Sequence, residues 1–421
     1  MLRILYSALL YVLTPFFLLR LLWRGFKSPA YCQRWPERLG FSTPVLPAQP
    51  IWIHAVSVGE VRAAIPLIKS LQQQYASVPV LVTTTTPTGS AQVTSLLGNT
   101  VQHVYMPFDL PDVIKRFLKK TAPRAIIIME TEIWPNLFYY CKQSSIPVVL
   151  ANARMSKKSA EGYSRFGGFI RATLDNLSFV AAQHDVDSAR LIKLGVQPEK
   201  IKVTGSIKFD ISLPGSLVTD TQALRKQLGE TRPVWIAAST HEGEDEQVLN
   251  AFNLIRQSVP DCLLIIVPRH PERFEQVTAL CKHYGFNVVR RSTNQACTSA
   301  TEIFIGDTMG ELLLFYAASD VAFIGGSLVE HGGQNPLEAS AVGIPIAFGP
   351  HVFNFSEVMS LLIEAGAGKQ VNNEQQLANA VTTYLKDKAL GQSTGLKGKQ
   401  VVEQNRGALD NLVSIISGFV Q

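Results

Sequence analysis

Short apolar runs alternate with amphipathic segments along most of the chain. From 51 to about 205, runs rich in Val and Ile are separated by segments whose apolar residues recur at helical spacing. The same alternation returns between 233 and 350. Runs that are apolar throughout are typical of parallel strands buried on both faces by helices. We therefore predict strands at 51–56, 78–86, 103–109, 123–131, 146–154, 177–184, 233–240, 262–270, 286–291, 302–308, 320–327 and 343–350.

This alternation predicts an α/β protein of two Rossmann-like, doubly wound domains. The stretch 204–216, with its Gly, Pro and Ser, lies between the two halves and is typical of a joint. Two such domains facing one another leave a cleft lined by strand ends from both. The expected parts are an anchor helix at 1–25, an N-terminal domain at 26–205, a hinge at 206–216, a C-terminal domain at 217–400, and a last helix at 401–421 that can pack back onto the N-terminal domain.

The first 25 residues are largely apolar and approach the roughly 20 residues needed to cross a bilayer. Three interpretations fit this segment: an anchor that spans the membrane, a cleaved signal peptide, and a helix lying in the membrane surface. No small-x-small cleavage site follows, which favours an anchor over a signal peptide. Pro15 and Arg20 shorten the clean span and keep the surface helix open. Cations at and after its end predict a cytoplasmic body; they are Arg20, Arg24, Lys27, Arg34 and Arg38.

Composition mainly excludes classes of protein. The 421 residues are 46% hydrophobic and 17% charged, which allows a packed core and is unlike a disordered chain. A net charge of +6 suits phosphate-bearing ligands or an anionic membrane surface. The cations are scattered and no zinc-finger or RNA-binding aromatic pattern is present, so we expect no nucleic-acid partner. Five widely separated cysteines without a CxxC pair indicate reduced thiols.

Acidic side chains follow two predicted strands of the first half. Glu60 comes after Gly59, where the strand near 51–57 gives way to a helical pattern, and Glu130 and Glu132 follow an apolar run. Open α/β sheets bind ligands at the carboxyl ends of their strands, so a catalytic role is one interpretation. The other is that each acid stabilises the start of a following helix. Acids at two strand ends of the same half favour the catalytic interpretation.

Cations and glycine-rich turns occur at the joint and in the second half. Lys208 lies in the joint, and Arg269 follows a buried-looking strand. Glycines surround Met309, and glycine pairs within 325–345 allow a backbone to approach a ligand closely. Helix N-termini that follow such loops bind anions, so these turns predict a nucleotide site. The GxxxxGK[ST], GxGxxG and HExxH patterns are absent, and we expect no cofactor and no metal.

Several long motifs together resemble those of the Kdo transferases, which transfer 3-deoxy-D-manno-octulosonic acid (Kdo) in lipopolysaccharide assembly. This family, GT30, has the GT-B fold of two Rossmann-like domains. The resemblance runs nearly end to end and includes the N-terminal anchor. The motifs are RWPERLG (34–40), HAVSVGE (54–60), ETEIWPN (130–136), NARMSKKS (152–159), TGSIKFD (204–210), PRHPERF (268–274), GDTMGEL (306–312) and GGSLVEHGGQNPLE (325–338).

The resemblance implies an inverting transferase with CMP-Kdo as donor and a lipid A precursor, lipid IVA, as acceptor. It also implies the cytoplasmic face of the inner membrane as the location. The family's catalytic base corresponds to Glu60, and its transition-state contacts correspond to Glu130 and Lys208. The residues that correspond to the CMP site are Pro268, Arg269, Met309, Gly310, Glu311, Asn335, Pro336, Leu337 and Glu338.

Other functions remain compatible with the pattern of residues. One is a GT-B enzyme that uses a UDP-sugar, either as a transferase or as a 2-epimerase. Another is a membrane-tethered binding protein without turnover, which the presence of both Glu60 and Lys208 disfavours. A nucleic-acid binder is the weakest alternative, because a mild and scattered positive charge does not form a binding stripe.

Overall fold

Two units, each built on one parallel sheet of seven strands, make up the chain. The structure, a computed structural model, describes residues 1–44 and 46–420. The first unit comprises Met1–Asp210 together with the C-terminal segment from Arg406 onward, and the second comprises Ile211–Asn405. Each unit has its own apolar core.

The sheet of the first unit has the strand order β3-β2-β1-β4-β5-β6-β7, and all its neighbouring strands are parallel. Its strands are β1 (Ile51–His54), β2 (Val80–Thr84), β3 (Gln102–Tyr105), β4 (Ala125–Met129), β5 (Val148–Ala153), β6 (Phe179–Ala182) and β7 (Ile201–Val203). Its helices are α1 (Leu2–Lys27), α2 (Trp35–Arg38), α3 (Val58–Gln74), α4 (Pro87–Leu97), α5 (Pro111–Thr121), α6 (Pro135–Gln143), α7 (Lys157–Ser164), α8 (Gly167–Leu174) and α9 (Asp185–Leu194).

The sheet of the second unit is also parallel and has the order β10-β11-β9-β8-β12-β13-β14. Its strands are β8 (Val234–Thr240), β9 (Leu263–Pro268), β10 (Val288–Arg290), β11 (Ile303–Ile305), β12 (Val321–Ile324), β13 (Ile346–Phe348) and β14 (Gly368–Gln370). Its helices are α10 (Leu217–Leu228), α11 (Asp245–Ser258), α12 (Phe274–His283), α13 (Leu312–Ala317), α14 (Leu337–Val342), α15 (Ser356–Glu364), α16 (Glu374–Lys386) and α17 (Lys388–Gln404).

The last helix, α18 (Ala408–Ser417), belongs to the first unit. It is tied there by Asp210, whose carboxylate accepts hydrogen bonds from the backbone N–H groups of Gly407 and Leu409, both at 2.7 Å. We expected one helix from about residue 400. The structure instead has a break after α17, where Gly407 adopts a φ of 94°, a conformation that favours glycine.

Both faces of the first sheet are buried, which explains why its strands are apolar throughout. In β1, Ile51 and Ile53 join one apolar cluster and Trp52 joins the other, because successive side chains of a strand point to opposite faces. Leu412 and Ile416 of α18 pack into the first of these clusters. The C-terminal segment therefore completes the core of the first unit.

The predicted α/β fold is confirmed, and each of the twelve predicted strands is present. Two strands were missed, β7 and β14. Both have three residues, lie at sheet edges and are mostly exposed, so neither shows the apolar run that marks a buried strand. Among the described residues, one helix, over Leu2–Phe26, is long and apolar enough to cross a membrane by length and composition.

Candidate active site

The carboxylate of Glu60 is fixed at the start of α3, immediately beyond the carboxyl end of β1. The backbone N–H of Val56 donates to its Oε2 atom at 2.8 Å, and the hydroxyl of Ser57 donates to Oε1 at 3.1 Å. In return, the backbone N–H of Glu60 donates to Oγ of Ser57 at 3.3 Å. This reciprocal pattern is a variant of the capping box. Glu60 is therefore a helix-capping acid, as the second interpretation expected, and its carboxylate is also held in one orientation.

The electrostatic environment of Glu60 favours its protonated form more than water would. Burial raises the pKa of Glu60, and the negative charge of Glu130 raises it further. Burial, together with the charge of Glu60, also raises the pKa of Glu132 to about 7. These three acids follow β1 and β4, which pair directly at the centre of the sheet. The strand order reverses between β1 and β4, and ligands bind at such switch points.

Lys208 forms an ion pair with Glu130 in the first unit. Nζ of Lys208 lies 3.6 Å from Oε1 of Glu130, and each side chain is about a quarter exposed. Lys208 sits in a single 3₁₀ turn whose flanking residues, Ile207 and Phe209, are buried. Glu130 has a φ of 57°, which is unusual for a residue other than glycine and is typical of functional positions held by surrounding structure. The structure thus brings Lys208 and Glu130 together.

Sequence reasoning did not single out two buried polar residues near these acids. His54, inside the HAVSVGE motif, binds Thr83 Oγ1 through Nδ1 at 2.8 Å, while its Nε2 atom has no partner among the described residues. Burial lowers the pKa of His54 to about 4, so the ring is neutral. Asn152 of β5 accepts a hydrogen bond from the backbone N–H of Ile207 at 3.2 Å and so fixes the turn that carries Lys208. A polar residue within an apolar run was the available signal for both.

Part of the NARMSKKS motif lies in the helix α7. Lys157 and Lys158 are exposed in its first turn. Ser156 caps this helix by accepting a hydrogen bond from the backbone N–H of Ser159 at 3.1 Å, and such local Ser caps make a short polar helix possible.

In the second unit, the residues expected to bind CMP lie at or after the carboxyl ends of three strands, β9, β11 and β12. β11, β9, β8 and β12 are adjacent in that order, and their carboxyl ends meet at one edge. Arg269, after β9, donates through Nε to Oε1 of Gln334, in the loop after β12, at 3.1 Å. The amide nitrogen of Gln334 in turn lies 3.1 Å from Nε2 of His241, in the loop after β8. A chain of polar contacts therefore links three of the four loops.

His241 extends this network to two other imidazole rings. Its ring stacks on that of His331 with centroids 4.2 Å apart and meets that of His270 edge-on at 5.8 Å. Burial, reinforced by the neighbouring His331 and His270, lowers the pKa of His241 to about 4. A neutral ring can accept a hydrogen bond from the Gln334 amide, which leaves the Gln334 carbonyl oxygen to hold Arg269.

Glu244, which we did not anticipate, organises the glycine-rich loop after β12. Its carboxylate is fully buried and accepts hydrogen bonds from backbone N–H groups of Gly326 at 2.6 Å, Ser327 at 3.0 Å and Leu328 at 3.0 Å. It also accepts one from the backbone N–H of His241 at 3.2 Å. Four such bonds compensate the burial of a charge. No local feature of the sequence distinguishes Glu244 from the other acids beside it.

Two short helices follow the loops of the expected CMP site. α13 begins at Leu312, with Glu311 as its cap residue, and α14 begins at Leu337, with Pro336 as its cap residue. Each has six residues, so few peptide dipoles add up at its N-terminus. At α14, the backbone N–H of Leu337 donates to Oδ1 of Asn335 at 3.1 Å. The expected contribution of these helix termini to anion binding is therefore reduced.

The remaining residues of the expected CMP site lie in the same edge loops. Glu311 is held by Arg291, whose Nη2 atom lies 2.7 Å from Oε1, and this contact lowers the pKa of the carboxyl. Met309 is exposed, and Gly310 has a φ of 84° with open space where a side chain would be. Pro268 ends β9, and Glu338 is half-buried in the first turn of α14. The described residues contain no group of His, Cys, Asp and Glu able to hold a metal ion.

Comparisons with known proteins identify the family. A family model described as 3-deoxy-D-manno-octulosonic-acid transferase (kdotransferase) matches residues 33–211, and one described as glycosyl transferases group 1 matches residues 234–401. The 3-deoxy-D-manno-octulosonic acid transferase of Haemophilus influenzae is 42% identical, over 100% of this chain and 99% of the relative. The chain belongs to the Kdo transferase family. A second member, from Bordetella pertussis, is 40% identical over 78% of each chain.

Family membership confirms the resemblance that the motifs indicated. This member of the Kdo transferase family is therefore a glycosyltransferase. Its fold is shared more widely. The crystal structure of UDP-GlcNAc 2-epimerase from Neisseria meningitidis, bound to UDP-GlcNAc, aligns with a TM-score of 0.55 at 14% identity, over 88% of this chain and 99% of that one. At that identity the likeness shows the GT-B fold alone.

Proposed function

We propose that this glycosyltransferase moves Kdo from CMP-Kdo to the lipid A precursor lipid IVA, at the cytoplasmic face of the inner membrane. The observation that carries the proposal is the placement of Glu60. In a chain of this family, a carboxylate with a raised pKa is held at the switch point of the first sheet. The Glu130–Lys208 ion pair lies in the same unit. In this proposal the first unit binds the acceptor and the second binds CMP.

Glu60 acts as the general base. It takes the proton from an acceptor hydroxyl as that oxygen attacks C2 of Kdo, opposite the departing CMP, and the anomeric centre inverts. A raised pKa makes its carboxylate a better proton acceptor than an ordinary glutamate, provided that it is ionised at the working pH. The hydrogen bonds from Val56 and Ser57 aim the carboxylate before substrate arrives.

Lys208 stabilises the negative charge that develops on the phosphate as the bond to Kdo breaks. Cytidylate is a weak base, so its departure requires charge stabilisation more than it requires a proton. Glu130 orients the Lys208 ammonium, as their separation of 3.6 Å supports. Asn152 restrains the turn that carries Lys208 through its bond to Ile207 N–H.

The second unit binds the nucleotide through its edge loops. Arg269 contacts the phosphate, and Gln334 fixes the guanidinium by accepting a hydrogen bond from its Nε atom. The backbone at Met309, Gly310 and Glu311 approaches the nucleotide closely because no side chain fills the space at Gly310. The loop from Asn335 to Glu338 contributes the ribose contacts, with the Glu338 carboxylate accepting from hydroxyls.

The decisive experiment incubates the purified full-length chain with CMP-Kdo and lipid IVA and weighs the lipid product by mass spectrometry. We expect a mass increase of one or more Kdo residues, and about 10²-fold less product in the same time with Glu60→Gln prepared in parallel. CMP should inhibit the reaction and UMP should not, at equal concentration. Consumption of a UDP-sugar, with CMP-Kdo left intact, would favour the alternative donor and overturn the proposal.

A further inference from the structure

α1 lies against the surface of the first unit from Arg3 to Phe17. Near its start, Arg3 donates through Nη1 to Oδ1 of Asn136 at 3.0 Å. Midway, the ring of Phe17 lies 6.3 Å from that of Phe108. At its end, Gly25 packs so closely on Cys32 that a side chain at residue 25 would collide with the sulfur. The 26 residues of α1 span about 39 Å at the rise of an α-helix, and the stretch from Arg3 to Phe17, which contacts the body, accounts for about 21 Å of that length.

The contacts at the N-terminal end are polar and specific. The hydroxyl of Tyr6 donates to Oδ2 of Asp109 at 3.0 Å, and the hydroxyl of Ser7 donates to Oδ1 of Asn136 at 3.1 Å. Asp109 is buried and also accepts from backbone N–H groups at the start of α6. The guanidinium of Arg3 stacks 3.7 Å above the ring of Tyr139. These bonds hold the first two turns of α1 against α6.

The opposite face of α1 is an unbroken apolar stripe. Its residues recur at alternating steps of four and three, which places them on one side of a helix. Each is between 56% and 67% exposed, and they are Leu5, Leu9, Val12, Phe16, Leu19 and Trp23. The polar Ser7 and Thr14 are turned away and satisfied by the body or by the helix backbone. In the part of the chain that the structure describes, nothing covers this stripe.

The charges beside the stripe indicate which occupant covers it. Arg20 and Arg24 are exposed near its C-terminal end, close to the exposed Trp23. Cations that reach past an apolar face, with a Trp at its edge, are typical of helices lying in the surface of an anionic bilayer. A helix that crosses the bilayer would instead leave the body within a few residues, because about 30 Å of hydrocarbon separates its two ends.

We propose that α1 does not cross the membrane but lies in the plane of an anionic bilayer surface. Its apolar stripe enters the acyl region, and its polar face stays bound to the first unit through Arg3, Tyr6 and Ser7. The N-terminus therefore lies on the same side of the membrane as the body. The proposal adds the orientation of α1 to the proposed function. It rests on that function only because it assumes that the partner is a membrane. The tests below measure binding and topology without turnover, so their failure is distinct from failure of Kdo transfer.

Vesicle flotation of the full-length protein tests the stripe. The probes are phosphatidylethanolamine vesicles with and without phosphatidylglycerol. We expect Leu9→Asp with Phe16→Asp to weaken binding about tenfold or more, and the anionic lipid to strengthen binding of the unchanged chain. The matched control is Val218→Asp with Leu396→Asp, two apolar side chains equally open to solvent in the second unit. Equal binding by both double variants, or a change only in self-association, would overturn the proposal.

Topology tests the orientation directly. A short extension carrying a protease site is placed before Met1, and the protein is studied in sealed membrane vesicles of known orientation. Cys32, which is exposed just beyond α1, reports the side of the body through a membrane-impermeant maleimide. We expect the extension to be cleaved only from the side on which Cys32 is labelled. Cleavage only from the opposite side would show that α1 crosses the bilayer.

Discussion

Nζ of Lys208 lies 3.6 Å from Oε1 of Glu130 and joins the 3₁₀ turn Ile207–Phe209 to the end of the central strand β4. Both side chains are about a quarter exposed, and ion pairs with that exposure contribute roughly 1 kcal/mol or less to stability. Stability alone therefore explains this pair poorly. Its position beside β1 and β4, where Glu60 is also fixed, is better explained by a contribution to the reaction.

Replacing Lys208 separates its contribution to stability from its contribution to the reaction. We expect Lys208→Gln to lower kcat about 10²-fold, the usual scale for losing one electrostatic contact to a transition state. The free energy of unfolding should change by about 1 kcal/mol or less. Steady-state kinetics and urea unfolding measure the two effects. Lys202→Gln, at an exposed position on β7, is the matched control. A variant with normal kcat and a large loss of stability would make Lys208 purely structural.

Glu60 needs a test that separates its capping from its chemistry. We expect Glu60→Gln to retain nucleotide affinity but to lower kcat about 10²-fold or more, because the amide oxygen can still accept from Val56 N–H but cannot take a proton. Ser57→Ala removes the side-chain cap and should cost roughly 0.5–2 kcal/mol of unfolding free energy while keeping most of kcat. If the two variants lost kcat equally, the cap and not the base would explain the effect.

The raised pKa of Glu132 predicts a pH-dependent stability. In the folded chain the pKa is about 7, above its ordinary value of 4.5, so the folded form holds the proton more tightly. Its stabilising contribution is complete below about pH 4.5 and is lost as the pH rises through 7. Between pH 5 and 8 the unchanged chain should lose roughly 1–3 kcal/mol that Glu132→Gln does not lose.

Urea unfolding of both proteins at several pH values measures this difference. The depressed pKa of His54 acts in the opposite direction, since its contribution is complete above about pH 6.5 and is lost as the pH falls through 4. Because His54 is present in both proteins, its effect cancels in the comparison. Parallel pH profiles for the two proteins would show that Glu132 titrates like an exposed acid.

Glu244 is expected to control donor binding without contacting the donor. In Glu244→Gln, an amide N–H group faces backbone N–H donors whose hydrogen bonds a carboxylate oxygen accepted before. This mismatch lowers the free energy of unfolding by roughly 1–3 kcal/mol at a buried site. We expect weaker CMP binding by calorimetry and a raised KM for CMP-Kdo, with the acceptor KM unchanged. Glu246→Gln, at an exposed position in the first turn of α11, is the control. A variant with normal CMP affinity would show that the loop does not depend on this acid.

Arg269 is expected to bind the phosphate of the donor directly. We predict that Arg269→Ala weakens CMP binding about tenfold or more, because a charge-assisted hydrogen bond contributes roughly 1.5–3 kcal/mol. Binding of cytidine, which lacks the phosphate, should change little. Calorimetry with both ligands makes the comparison, and Lys282→Ala removes an exposed cation elsewhere in the unit as the control. Equal losses for CMP and cytidine would place Arg269 away from the phosphate.

The sequence predicted every central strand and missed one edge strand in each sheet. A strand such as β4 is covered by helices on both faces and must be apolar throughout, so its composition alone reveals it. Edge strands such as β7 and β14 are paired on one side and open to solvent, so their composition resembles that of a loop. The break at Gly407 was missed for a similar reason, because one glycine between two helical patterns is a weak signal.

The candidate site was also predictable from the sequence only in part. That Glu60 and Glu130 follow strands could be read from the chain, and parallel strands bring their carboxyl ends to one edge of the sheet. The ion pair of Glu130 with Lys208, and the four backbone donors around Glu244, join residues far apart in sequence. Sequence spacing carries no information about such pairs.

By itself, the amino-acid sequence determined the α/β class, the apolar character of α1 and the residues available for chemistry, because hydrophobic periodicity and residue type are local properties of the chain. Only the tertiary structure decided which acid is paired with Lys208, which acid holds the glycine-rich loop, and which face of α1 is left without a protein partner. Those outcomes depend on close packing and long-range hydrogen bonds, which exist only once distant segments have met.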